Sequence, residues 1–278
     1  MATWLVTGAN RGLGAEIARA ALREGDDVVV GARRTDSIPA DLTASPNVLP
    51  VALDVTDRAA ITAAVDAAVD RFGGVDVLVN NAGYGLIGAL EEVDEADYRA
   101  LFDVNVFGLV EMTRAVLPVM RAAGSGTVVN IGSRGGYEGQ PGVSAYCASK
   151  FAVEGITEAL AGELAPFGIR AVVVEPGNFR TGFLDPSSMT RPAAPLAGYD
   201  GTPAHDRQEA SHGANHRQPG DPAKAAELIH RVVTGAEPPV HLPIGRDAHE
   251  RLAVVVEQRL KDAEVWREQS LATAHDAP

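Results

Sequence analysis

Residues 7–14, Thr7-Gly8-Ala9-Asn10-Arg11-Gly12-Leu13-Gly14, decide how this chain reads. They follow a β-branched, apolar run at 3–6 and open an Ala-rich stretch at 12–24 with helical periodicity. Glycines between a strand and a helix let the backbone turn sharply and come close to a pyrophosphate. The helix N-terminus behind them offers free N–H groups and the positive end of its dipole. A Gly-rich turn alone is a weak signal; placed between strand and helix it gains weight.

The same alternation continues outward from that turn. Residues 28–30, 48–52, 75–79, 127–131 and 171–174 are near-continuous apolar runs, as parallel strands covered on both faces require. Helical patterns at 58–72, 97–123 and 145–164 lie between them, with others at 222–233 and 247–269 and a short apolar run at 240–243. Gly25, Gly73 and Gly168 stand just past helix ends, where glycine is the favoured cap. The expected fold is α/β: a Rossmann-type, doubly wound, seven-stranded parallel sheet with helices on both faces. We expect one domain over 1–278, with a Pro-, Gly-, Ser- and His-rich substrate loop at about 184–222 that lacks a clear strand. A C-terminal helical extension at about 247–278 ends in a frayed tail from 270.

The strand ends carry candidate binding groups. Where an NAD site places a carboxylate after the second strand, this chain has Ala32, Arg33 and Arg34. Guanidinium groups there suit a 2′-phosphate, and Arg11 in the Gly-rich turn is placed to help; the plain alternative for Arg33 and Arg34 is solvated surface charge. Asp54, followed by Val55, suits an adenine amino group or, equally, a cap for the helix beginning near Asp57. Asn80-Asn81-Ala82-Gly83 is a small-residue turn closing the fourth strand.

Ser133 and Tyr146-Cys147-Ala148-Ser149-Lys150 carry the chemistry. Tyr146 and Lys150 share one helix face four residues apart, and an ammonium there favours phenolate, making the phenol a usable acid/base. Of the five tyrosines only Tyr146 has lysine at that spacing, in a chain with three lysines.

Across about residues 1–245 the chain resembles the short-chain dehydrogenase/reductase family. The Gly-rich turn, Asn80–83, Asn105, Ser133, the Tyr146/Lys150 pair and Pro176-Gly177…Thr181 occur in the family's order. The resemblance implies reversible hydride transfer between NADP(H) and a carbonyl or alcohol. Ser133 would hold the carbonyl, Tyr146 pass the proton, and Lys150 bind the nicotinamide ribose and depress the tyrosine pKa. Asn105 would hold a relay water through its backbone. Pro176, Gly177 and Thr181 would line the nicotinamide, and Gly8, Asn10, Arg11, Gly12, Leu13, Gly14, Asn81, Ala82 and Gly83 the rest of the cofactor. Basic residues at Arg11 and Arg33 go with NADP(H) in this family. An NAD-linked alcohol dehydrogenase and a catalytically silent NADP(H) sensor are the rival readings. Glu175 departs from the family's usual Asn, with no clear consequence in the sequence.

Composition narrows the partners. A net charge of -13 repels nucleic acid, and one cysteine cannot form an intrachain disulfide. With no leader-like start and no membrane-length apolar run, we expect a cytoplasmic protein acting on small molecules away from membranes. His205, His212 and His216 lack a metal-ligand pattern, so no metal is expected. Cys147 reads as a packed thiol, and Arg134 and Tyr137 as pocket wall. The stretch 97–123 is apolar almost all round, which predicts a homodimer or dimer-based homotetramer through it and 145–164.

Overall fold

A computed structural model describes residues 1–275; the side chains of Ser211 and His212 lie outside the description. In chain order the elements are β1 (Thr3–Thr7), α1 (Gly12–Arg23), β2 (Asp27–Ala32), α2 (Ala40–Thr43), β3 (Val48–Ala52), α3 (Arg58–Phe72), β4 (Val77–Asn80), β5 (Gly85–Leu86), α4 (Glu95–Phe102), α5 (Leu109–Ala123), β6 (Gly126–Ile131), α6 (Ser144–Leu164), β7 (Ile169–Pro176), β8 (Met189–Thr190), α7 (Pro203–Ala214), α8 (Pro222–Val233), β9 (His241–Ile244), α9 (Arg246–Val265) and α10 (Arg267–Leu271). Seven strands form one parallel sheet in the order β3-β2-β1-β4-β6-β7-β9. The order reverses direction beside β1, so the β1–α1 and β4 turns open on one crevice at the carboxyl ends of the strands.

The apolar runs bury both faces. Val6, Val28, Val79, Val129 and Val172 face one core with α1 and α8, while their strand neighbours Leu5, Val29, Leu78 and Val128 face another with α3, α5 and the end of α6. This period of two with apolar residues in both registers is why the strands read as continuous runs. Gly73 and Gly168 cap their helices with φ of +86° and +71°, as their places in the sequence predict.

Two expectations need correction. The stretch 97–123 is not one helix: α4 and α5 are separated by a π-helical segment, Asp103–Gly108. Contacts from outside the helix hold it there. Asn105 exchanges hydrogen bonds with the Tyr84 backbone (3.1 and 3.0 Å), and Gly108 lies so close to Val55 that a Cβ would overlap it. The loop 184–222 is not without structure either. It contributes β8, paired in parallel with β5, and the 12-residue α7. Both escaped the sequence reading because β8 is two residues long and α7 has almost no apolar stripe. No helix among the described residues is long and apolar enough to cross a membrane.

Candidate active site

The carboxyl ends of β1, β2, β4, β6 and β7 border a cleft of about 1560 Å³. Single-ligand pockets run to about 300–1000 Å³, so this one has room for a dinucleotide and a second molecule. Of the catalytic and cofactor-binding residues expected from the sequence, all but Gly14 and Asn105 line it.

At one end the Gly-rich turn is pinned from below. Gly8 and Gly12 take φ of +63° and +57°, which other residues rarely adopt. The Thr7 hydroxyl accepts from the Asn81 and Ala82 amides (3.0 and 2.9 Å), and the Asn81 side chain donates to the Thr7 and Gly8 carbonyls (2.9 and 3.1 Å). Asn81 therefore shapes the turn, and Gly14 packs against it so closely that a Cβ would overlap the Asn81 amide. No side chain caps the start of α1, so its first N–H groups open on the cleft. A Cβ on Gly12 would meet only Thr181, at 3.6 Å. An uncapped helix start over open space, behind glycines, fits a pyrophosphate.

Farther along the same end, Arg33 is exposed and has no ion-pair partner among the described residues, although its charge helps hold the Asp54 carboxyl below its usual range. The larger causes at Asp54 are hydrogen bonds from the Thr56 amide and hydroxyl (2.9 and 2.7 Å). The helix cap that Asp54 was open to supply comes instead from Asp57, which accepts from Ala59 at 2.8 Å. Arg34 pairs with Asp36 (3.4 Å). Arg11 turns toward the later loop, donating to the Ser187 hydroxyl and carbonyl (2.6 and 3.0 Å).

At the other end, Ser133 leaves β6 and Tyr146 and Lys150 face it from α6. The Ser133 hydroxyl accepts from the Gly135 amide (3.0 Å) and hydrogen-bonds the Tyr146 phenol. Lys150 donates to the Ile131 carbonyl (2.7 Å), its Nζ 5.9 Å from the Tyr146 ring centre. Burial pushes Tyr146 up to about 12, and the bond from Ser133 is the one opposing cause. Burial brings Lys150 itself down to about 8. Desolvation disfavours both charged forms, leaving a neutral phenol and an ammonium at neutral pH.

Asn105 stands beneath this end. It is buried, donates to Ser149 Oγ (3.2 Å), and Ser149 in turn donates to the Tyr146 carbonyl (2.7 Å). Its side chain thus ties the π-helical segment to the catalytic helix. No role for Ser149, Tyr84 or Thr7 was legible in the sequence; their bonds to Asn105 and to the β4 turn span 21 to 75 residues, with no local pattern.

Glu175 finds its explanation one layer down. Glu154, one turn after Lys150 on α6, lies against Glu175 of β7, and Glu175 Oε1 is 2.9 Å from His241 Nδ1. The two glutamate side chains are only 9% and 3% exposed, and both Glu154 oxygens and Glu175 Oε2 lack a hydrogen-bond donor from the chain. Two buried carboxyls in contact cannot both ionise cheaply. Burial first, then Glu175, pushes Glu154 up to about 9, so Glu154 keeps its proton at neutral pH. One oxygen or nitrogen from each of Glu154, Glu175 and His241 lies within 4.8 Å of the others, the one such trio among the described residues. The histidines considered in the sequence are apart from it: His205 meets Glu92 (2.7 Å) and Asp200 (3.2 Å), His216 meets Asp185 (3.1 Å), and the His212 side chain lies outside the described residues.

The wall near Ser133 is built with the C-terminal helix. Arg134 and Cys147 line the cleft; Cys147 is a buried thiol, raised by burial. Tyr137 does not line it. Its hydroxyl donates to the Ala248 carbonyl of α9 (2.8 Å), while Arg251 Nε donates to Glu138 (3.1 Å) and Asp247 accepts from the Asn178 amide (2.9 Å).

The fold, the Gly-rich turn and the Ser133–Tyr146–Lys150 grouping define a family, and the comparisons agree: residues 2–191 match the short chain dehydrogenase family, and this chain belongs to it. It is 39% identical over 98% of each chain to oxidoreductase BOA17 of Botryotinia fuckeliana. A short-chain dehydrogenase from Streptomyces avermitilis superposes with a TM-score of 0.90 at 40% identity, covering 99% of this chain and 100% of that one. Two further solved structures differ in cofactor. A Burkholderia phymatum member holds NAD (TM-score 0.81, 26% identity, 100% and 97% covered), and a Burkholderia cenocepacia member holds NADP (0.74, 26%, 95% and 96%). The chain is thus an oxidoreductase of a family that uses nicotinamide dinucleotides on alcohol and carbonyl groups.

Proposed function

We propose that this chain is an NADP(H)-dependent carbonyl reductase, working as one domain over 1–278 in the cytoplasm. The observation that carries the reading is the convergence of Ser133, Tyr146 and Lys150 at one end of the cleft that the Gly-rich turn closes at the other. The bound dinucleotide supplies the hydride; the protein supplies position and the proton. Ser133 hydrogen-bonds the substrate oxygen. Tyr146, a neutral phenol held near 12, is set to donate its proton as negative charge grows on that oxygen. Lys150, an ammonium below about pH 8, holds the nicotinamide ribose and stabilises the phenolate left behind. Pro176, Gly177 and Thr181 line the nicotinamide.

Arg33 supports the choice of NADP(H): it is exposed at the cleft and free of a carboxylate partner, as a 2′-phosphate requires. Arg11 joins it only if the Ser187 contact opens. Exposed Phe107 and half-exposed Phe151, beside α5 and on α6, support two-fold pairing of these helices, giving a dimer or tetramer of 29.0 kDa chains. Turnover of a ketone and alcohol panel with each dinucleotide tests the reading. Reduction with NADPH is expected to exceed that with NADH at least tenfold. Parity would favour the NAD-linked alternative, and binding without any turnover the silent sensor.

A further inference from the structure

Five arginines line the cleft: Arg11, Arg33, Arg34, Arg134 and Arg207. Arg11 is held by Ser187, Arg34 by Asp36, and Arg134 by Glu138, Asp247 and Gln140. Arg33 is exposed at the cofactor end, where a phosphate is expected. Arg207 remains. It projects from α7, is partly buried, and has no hydrogen-bond or ion-pair partner among the described residues. Desolvation lowers its pKa, and the like charge of Arg134 lowers it further. The attractive neighbours are weak or already engaged: Cys147 is a buried thiol, and Glu138 is bound by Arg251, Gln140 and Arg134. The adjacent Asp206 also lines the cleft but is exposed and makes no ion pair with it.

This is unusual in a chain with 37 carboxylates and 24 basic side chains, where most arginines at the cleft have found a partner. Desolvating a charge without a counter-charge is costly, and the cost is recovered when an anion binds. The location is specific. Ala204 of α7 lies against Gly142, four residues before Tyr146, so Arg207, one turn farther along α7, stands at the reducing end of the cleft. The cleft is also lined by apolar side chains: Leu86, Ile87, Val143, Phe183, Leu184 and Met189.

We propose that Arg207 is the anchor of a carboxylate-binding subsite, and that the substrate is an oxo acid with an apolar body. A guanidinium takes a carboxylate with two parallel charge-assisted hydrogen bonds. The apolar walls hold the carbon chain, and the ketone meets Ser133 and Tyr146. The inference rests on the reductase reading for its chemistry. The dinucleotide delivers hydride to the carbonyl carbon, Tyr146 delivers a proton to the oxygen, and the carboxylate leaves unchanged in a hydroxy acid.

Two measurements test it together. The first compares a medium-chain oxo acid with its methyl ester, in wild type and in Arg207→Gln. Wild type is expected to prefer the acid at least tenfold in kcat/KM. Arg207→Gln is expected to remove that preference through KM, and Arg207→Lys to restore part of it. Equal use of acid and ester by wild type, or an equal loss on both in Arg207→Gln, overturns the subsite. The second measures thermal shift with the saturated carboxylic acid of the same length. The acid is expected to stabilise wild type and not Arg207→Gln. If that shift appears without turnover of either compound, the subsite stands and the reductase reading falls; if the acid shifts both proteins equally, the subsite falls whatever the turnover.

Discussion

The two ends of the cleft are built differently. The cofactor end is made of strand ends and tight turns whose hydrogen bonds run between neighbouring strands: Thr7 and Asn81 lock the β1 and β4 turns to each other. The substrate end is assembled from distant segments. Tyr137 reaches Ala248, Arg251 reaches Glu138, and α7 brings Arg207 over the cleft. Turns fixed by sheet geometry repeat wherever the sheet does, whereas a wall made from late helices changes with any change in those helices. The first end is thus set by the sheet and the second by the helices and loops that follow it.

Tyr146 stands at the end opposite the Gly-rich turn, and its loss is the largest effect expected. Tyr146→Phe removes only the proton donor, so kcat should fall by about 10²–10⁴-fold while cofactor affinity stays within a few-fold. Steady-state rates beside a cofactor titration check this; a fall in affinity matching the fall in rate would mean that the two ends are not separable. Arg33→Ala acts on the cofactor end alone. Charge-assisted hydrogen bonds to a 2′-phosphate are worth about 1.5–3 kcal/mol, so NADPH should weaken by one to two decades and NADH hardly at all. Equal weakening of both would make Arg33 a structural residue.

The smallest effect concerns the layer beneath the substrate end. Glu154 is raised from 4.5 to about 9, so the folded chain holds this proton more tightly than the unfolded chain. The sign follows from linkage: the contribution is complete below about pH 4.5 and is lost as pH rises toward 9. Lys150, lowered to about 8, works in the opposite sense only above that pH. Glu154→Gln should flatten the fall of Tm between about pH 5 and 8 by a few degrees. Parallel Tm curves for mutant and wild type would show that Glu154 is ionised in the folded protein.

The seven-stranded sheet and its winding were legible because apolar periodicity and Gly-rich turns are local properties. The strands at 48–52 and 127–131 and the helix at 58–72 stand where the pattern puts them. The π-helical break at Asn105 was not legible, because its anchor is the Tyr84 backbone 21 residues away. Nor was the helix at Pro203–Ala214, whose residues carry no apolar stripe to announce it.

By itself the sequence determined the fold class, the family, and which of five tyrosines stands one helical turn from a lysine. Tertiary structure decided what each charge meets. It set Glu154 against Glu175 across 21 positions, tied Arg11 to Ser187 across 176, and left Arg207 without a partner among the described residues. The reason is physical: turn conformation and helix spacing are set within a few residues, whereas burial and ion pairing are set by which distant segments the packed sheet brings together.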